Sequence, residues 1–164
     1  MAENIIYKEV GELPVVRICM VREPSIYGHT EIHSAEDAVK LVAQELSDYD
    51  REAFGVIGLK TNGEPISFNL VSLGTLNSAP VCAREVFKSA ILSNASRIIA
   101  IHNHPSGNLK PSPEDFETTR QLVLAGEILG IQVIDHIIVA GETGRIYSFA
   151  SEGLIHKIKA EKSI

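Results

Sequence analysis

The sequence predicts an α/β domain, a sheet with helices packed against it. Three observations carry that prediction. Segments of strand character alternate with segments of helical periodicity along the chain. Helix-start, C-cap and turn signals bound those segments, as at Ser34, Ser112-Pro113, Gly130 and Asn62-Gly63. The chain has 164 residues, 45% hydrophobic and 22% charged, which suits one globular domain with a real core and is too short for two comfortable ones.

Taken in order, residues 4–22 have an extended character, with Ile5, Tyr7 and Val15-Val16-Arg17-Ile18 as apolar points around Gly11 and Pro14. They read as an arm of one or two strands, and 24–28 as a turn-rich connector. The organisation is thus an arm over 1–30, a main domain over 31–150 and a tail over 151–164. Ser34-Ala35-Glu36-Asp37 supplies a helix start, and Ala38, Leu41, Val42 and Leu46 follow helical spacing to about Ser47. The next unit, 53–60, Thr61-Asn62-Gly63-Glu64 and 65–76, reads as a hairpin because Asn-Gly suits a tight I′ turn. A second helix over 84–93 puts Val86, Ala90 and Ile91 on one face. A strand over 97–102 and a proline-rich loop over 103–111 follow. A long helix then runs from Pro113 to Leu129 and stops at Gly130, a good C-cap residue. A strand over 132–140, a turn over 141–144 and a closing strand over 145–149 complete the domain. From Ser151 the tail reads as a short amphipathic helix or a frayed end. There are no internal repeats and no low-complexity tract.

The chemistry is concentrated in His102-Asn103-His104-Pro105-Ser106-Gly107 and Ser112-Pro113-Glu114-Asp115. Histidines at i and i+2 on an extended backbone point to the same side. Arg97-Ile98-Ile99-Ala100-Ile101 before them is a β-branched run suited to a buried strand, and Pro105 disfavours helical geometry at His104. Two imidazoles and the Asp115 carboxylate leave a fourth tetrahedral position for water, the build of a catalytic zinc site. Each part alone has a plainer reading. Ser112-Pro113-Glu114-Asp115 is also a helix start, with serine at N-cap, proline at N1 and acids at N2 and N3. The conjunction is what points to a metal.

The spacing His-x-His, seven residues, Ser, two residues, Asp resembles the signature of the JAMM (MPN-plus) metalloproteases. The fuller His-Asn-His-Pro-Ser-Gly is similar to their bacterial RadC-like branch, as are Gly74-Thr75-Leu76-Asn77, Arg84-Glu85-Val86-Phe87-Lys88 and Asp135-His136-Ile137-Ile138-Val139. The resemblance covers roughly residues 31–150. It implies a three-layer α/β/α fold with a mixed sheet, similar in outline to the cytidine deaminase fold. It also implies Zn²⁺ held by His102, His104 and Asp115, although these ligand types do not exclude Fe or Mn. Glu52, in Glu52-Ala53-Phe54-Gly55, resembles the Glu-x-x-Gly element that carries the catalytic glutamate of the family. Ser112 carries over as the serine whose hydroxyl donates to the developing oxyanion, or it is simply the N-cap. The implied activity is hydrolysis of peptide or isopeptide bonds, on a peptide or protein substrate that the sequence does not identify. Asp135-His136 reads either as support for the metal ligands or as a packed or surface histidine.

Other classes fall away on the letters. His-Glu-x-x-His is absent, which excludes a thermolysin-type site, and so is the Pro-Cys-x-x-Cys of a zinc deaminase. A non-catalytic MPN-like binding module remains the alternative. The family's DNA-repair label suggests DNA association. The formal charge of −6 argues against a large basic footprint, and the arm is too short for the helix-hairpin-helix module such proteins often carry. Cys19 and Cys82 have no CxxC spacing and read as free thiols in a reducing cytoplasm. No signal peptide and no membrane-spanning run is expected. The arm offers an edge strand for pairing in a homodimer.

Overall fold

A computed structural model of the chain describes residues 31–47, 49–74, 81–141 and 144–161. Helix α1 (Ala35–Ser47) leads into strands β1 (Ala53–Leu59) and β2 (Pro65–Leu73), then helix α2 (Ala83–Leu92) and strand β3 (Arg97–His104). Helix α3 (Pro113–Leu129), strands β4 (Gln132–Ala140) and β5 (Arg145–Ser148) and helix α4 (Leu154–Ala160) follow. The expected arm over 1–30 lies outside the described residues, as does the part of the second hairpin strand expected beyond Gly74.

The five strands form one mixed sheet in the order β2-β1-β3-β4-β5. Only β3 and β4 run parallel, and α3 supplies the crossover that a parallel pair requires. Side-chain alternation along β3 divides the core into two layers. Ile98 and Ala100 face a cluster with Phe87 of α2, Leu122 and Val123 of α3, and Ile155 of α4. Ile99 and Ile101 face Val42 and Leu46 of α1. Every residue of β1 is buried, and β3 is buried from Ile98 onward, as expected for central strands covered on both faces. Helices on both sides of a mixed sheet make the three-layer α/β/α arrangement that the family resemblance implies.

Three local expectations need correction. The hairpin connection is not a two-residue I′ turn: Gly63 (φ 91°) has positive φ and Asn62 does not. Gly63 N–H donates to the Lys60 carbonyl at 3.1 Å and Lys60 N–H to the Glu64 carbonyl at 2.9 Å. A turn through Thr61 and Asn62 followed by a left-handed glycine is the next commonest hairpin design. On α2, Val86 and Ala90 are buried but Ile91 is exposed, because the buried stripe passes through Phe87 instead. The motif strand extends to His104, two residues beyond 102, since β4 pairs with it through His104↔Ala140.

A bulge in β4 positions one more group. Ile98 pairs with Val133 but Ile99 pairs with Asp135, so Ile134 is an extra residue. Such an insertion moves every later side chain to the opposite face. His136 thereby shares the α3 side of the sheet with Ala100 and His102.

Candidate metal centre

The strand phase that buries Ile98 and Ala100 against α3 carries His102 and His104 to the same side, at the end of β3 where α3 begins. Helix α3 begins with Ser112 as N-cap in a capping box with Asp115, which satisfies otherwise orphaned N–H groups at the helix start. It brings the Asp115 carboxylate to the histidines. His102 Nε2 lies 3.2 Å from Asp115 Oδ1 and 3.0 Å from His104 Nε2, and His104 Nε2 lies 3.7 Å from Asp115 Oδ2. Both imidazoles are buried and the carboxylate is largely so.

The donor set fits a metal ion. One donor atom from each of the three residues lies within 4.8 Å of the others. A tetrahedral ion with bonds of about 2.0–2.1 Å spaces its donors roughly 3.3 Å apart, close to the 3.0 and 3.2 Å observed. The tautomer of His104 suits coordination as well. Its Nδ1 contacts the Asn108 carbonyl oxygen at 2.6 Å; a carbonyl only accepts, so Nδ1 holds the proton and Nε2 offers a lone pair. Burial resists ionisation of Asp115, yet the adjoining His102 ring and the Ser112 N–H and hydroxyl donors hold its carboxyl well below the usual carboxylate range.

Glu52 and Ser112 line the same cleft of about 590 Å³ as the three residues above, with Lys110 at its side. Glu52 immediately precedes β1, whose register with β3 pairs Phe54 with His102; continued by two residues, that register sets Glu52 across from His104. Asn103 fixes this segment. The odd phase of β3 turns Asn103 away from His102 and His104 and toward the chain entering β1. Its Oδ1 accepts from Ala53 N–H at 2.6 Å, and its Nδ2 donates to the Arg51 carbonyl at 3.1 Å. The peptide groups on both sides of Glu52 are therefore held by the residue between the two histidines.

A second buried system lies behind His102. His102 Nδ1 contacts His136 Nε2 at 2.9 Å, His136 Nδ1 contacts Thr119 Oγ1 at 2.6 Å, and Thr119 Oγ1 donates to the Asp115 carbonyl at 2.6 Å. His136 and Thr119 are fully buried, and burial pushes the His136 imidazole well below its ordinary range. The His136 ring stacks on Phe149 with centroids 5.0 Å apart. Among the sequence readings of His136, burial excludes the surface histidine and leaves a packed residue or support for the histidine-aspartate group. Asn103 and Thr119 escaped sequence reasoning. The available signal was periodicity: one is out of phase between paired histidines, the other one helical turn from Asp115. His33 and His156 are exposed, and Cys82 is a free, exposed thiol.

A His-His-Asp group at the junction of a buried strand and a helix start, on an α/β/α sheet, defines a JAB-type domain. The chain belongs to the family of RadC-like JAB domains, whose profile matches residues 32–154. It is 45% identical over 123 residues to a UPF0758 protein of Desulforudis audaxviator, covering 75% of this chain and 53% of that relative. A UPF0758 protein of Desulforamulus reducens is 45% identical over 124 residues, covering 76% and 54%. One from Moorella thermoacetica is 43% identical over 126 residues, covering 77% and 54%. The chain thus spans about half the length of the curated relatives it matches. Among the described residues, no helix is long and apolar enough to cross a membrane.

Proposed function

We propose that this domain is a zinc-dependent hydrolase that cleaves peptide or isopeptide bonds. The observation that carries this reading is the convergence of His102, His104 and Asp115 in one cleft with Glu52 and Ser112. His102, His104 and Asp115 would hold the ion, two neutral imidazoles and one carboxylate being a donor set that suits zinc with a position left open. A divalent ion held there supplies Lewis acidity, lowering the pKa of a water to about 7 and polarising a substrate carbonyl.

The chain's own residues perform the rest. Glu52 takes the proton of the attacking water and returns it to the leaving amine, the work of a general base turned general acid. The Asn103 clamp keeps the backbone of Glu52 in place while that proton moves. Ser112 donates its hydroxyl proton to the oxyanion that develops on the substrate, a contact worth about 3 kcal/mol when well placed. A hydroxyl has one donor and two lone pairs, so Ser112 continues to accept from Asp115 N–H and cap α3 while its proton turns to the substrate. The substrate is a peptide or protein.

The test combines elemental analysis with turnover of a fluorogenic peptide library and of lysine-isopeptide model substrates. Bound zinc, together with hydrolysis that falls by at least 10²-fold in Glu52→Gln, is expected, since general-base catalysis contributes about 10²–10⁴-fold. Stoichiometric zinc with no turnover of either substrate above the Glu52→Gln background would leave a metal-binding module rather than an enzyme. Absence of zinc after reconstitution would remove both readings.

A further inference from the structure

We infer that His136 and Thr119 are positioning residues that fix the tautomer of His102, and so hold the lone pair of its Nε2 toward the metal. The inference rests on the reading of His102 as a metal ligand, and it starts from donor and acceptor counting. Thr119 has one hydroxyl proton, and it goes to the Asp115 carbonyl, which can only accept. For the 2.6 Å contact with His136 Nδ1 also to be a hydrogen bond, Nδ1 must carry a proton and the hydroxyl oxygen must receive it. His136 Nε2 is then the acceptor side of the ring, and it lies 2.9 Å from His102 Nδ1. His102 can coordinate through Nε2 only with its proton on Nδ1, and that proton has its acceptor in His136 Nε2.

The directions run one way. His102 Nδ1–H donates to His136, His136 Nδ1–H to Thr119, and Thr119 Oγ1–H to the main chain of Asp115. The series starts on one proposed ligand and ends on another, so it ties β3, β4 and α3 together at the site. Fully buried His136 and Thr119 leave no water to substitute for the missing partner when either is removed, and an unpaired polar group there is costly. The bulge at Ile134 is the fold's means of turning His136 to this face, and the packing of Phe54 and Phe149 against its ring keeps it from rotating. Any buried histidine needs both ring nitrogens paired; what packing alone would not require is a register shift that turns the ring so that one of those partners is His102.

The test reads the tautomer and the zinc affinity separately. In the metal-free wild-type protein at pH 8, nitrogen-15 shifts of the imidazoles should report His102 protonated at Nδ1. His136→Leu should release that preference and weaken zinc binding, measured by chelator competition, about 10–100-fold. His136→Gln, which keeps an acceptor toward His102 and a donor toward Thr119, should recover most of that loss. Thr119→Val should weaken binding less than His136→Leu. A wild-type His102 protonated at Nε2, or zinc affinity unchanged in both His136→Leu and Thr119→Val, would overturn the inference. If His136→Leu does not fold, as judged by circular dichroism, the wild-type tautomer and the Thr119→Val affinity decide it. Wild-type protein that binds no zinc at all would instead remove the reading of His102 as a ligand.

Discussion

Ser112 and Asp115 are joined by three hydrogen bonds across the first turn of α3. The serine hydroxyl accepts from Asp115 N–H at 3.1 Å and donates to Asp115 Oδ2 at 2.7 Å, while Ser112 N–H donates to the same oxygen at 2.7 Å. Oδ2 is thereby engaged by two donors and Oδ1 is turned to His102. Capping and carboxylate orientation are one arrangement: the box that starts the helix also aims Asp115 at His102.

Ser112→Ala removes the cap and one of the two donors on Asp115. Loss of a serine cap costs about 1 kcal/mol of stability, and loss of an oxyanion donor costs about 10²–10³ in kcat. Both losses are expected, with KM little changed, because the donor acts on charge that develops only in the transition state. Urea denaturation and steady-state kinetics on the same preparation check this. A stability loss with kcat within threefold of wild type would confine Ser112 to capping.

Asn103→Ala opens the clamp around Glu52. The buried Ala53 N–H loses its 2.6 Å acceptor and the Arg51 carbonyl its donor, and an unpaired buried group costs about 1–3 kcal/mol. The proposed metal ligands point the other way from β3, so zinc stoichiometry should stay at the wild-type level while kcat falls as Glu52 loses its fixed backbone. Elemental analysis beside kinetics separates the two effects. Loss of zinc in Asn103→Ala would show that the residue supports the ligands rather than the glutamate segment.

Much of this site was legible in the sequence because its logic is local. The i, i+2 histidines on a β-branched run and the Ser-Pro-Glu-Asp helix start each encode a direction within a few residues, and Pro113–Leu129 and Gln132–Ala140 were bounded correctly for the same reason. What was not legible depends on pairing between distant segments. Nothing local to Asn103 says that Arg51 and Ala53 lie beside it. The bulge that turns His136 toward His102 exists only in the register of β4 against β3. Asn62-Gly63 fits two hairpin loop lengths, and Lys60 bonding Glu64 chooses between them.

Gly126 lies where α3 passes over the start of β4. A Cβ there would fall inside contact distance of the Ile131 carbonyl oxygen and 3.2 Å from Phe87 Cζ. The carbonyl belongs to the turn that links α3 to β4, in which Ile131 N–H donates to Gly126 O at 2.9 Å, so it cannot yield without opening that turn. Gly126→Ala gains about 1 kcal/mol of helix propensity, and overpacking costs about 1–3 kcal/mol or more. Net destabilisation is expected by urea denaturation. A more stable Gly126→Ala would mean that the turn shifts freely.

Asp135 gives the fold a pH dependence separate from the proposed metal ligands. Burial raises the pKa of its carboxyl against the lowering effect of hydrogen bonds from Ser148, Ala150 N–H and His136 N–H. A carboxyl whose folded pKa is raised contributes stability that is fully present below its unfolded value of about 3.8, and that contribution is lost as pH rises through the folded value. Asp135→Asn keeps an oxygen for the two N–H donors, and Ser148 can turn to accept from the new amide. Relative to Asp135→Asn, the wild-type protein should therefore lose stability between pH 3.5 and pH 7. Urea denaturation of both proteins in metal-free form at the two pH values measures the difference. If the wild type gains on the variant as pH rises, the three hydrogen bonds outweigh burial and the carboxylate is the favoured form.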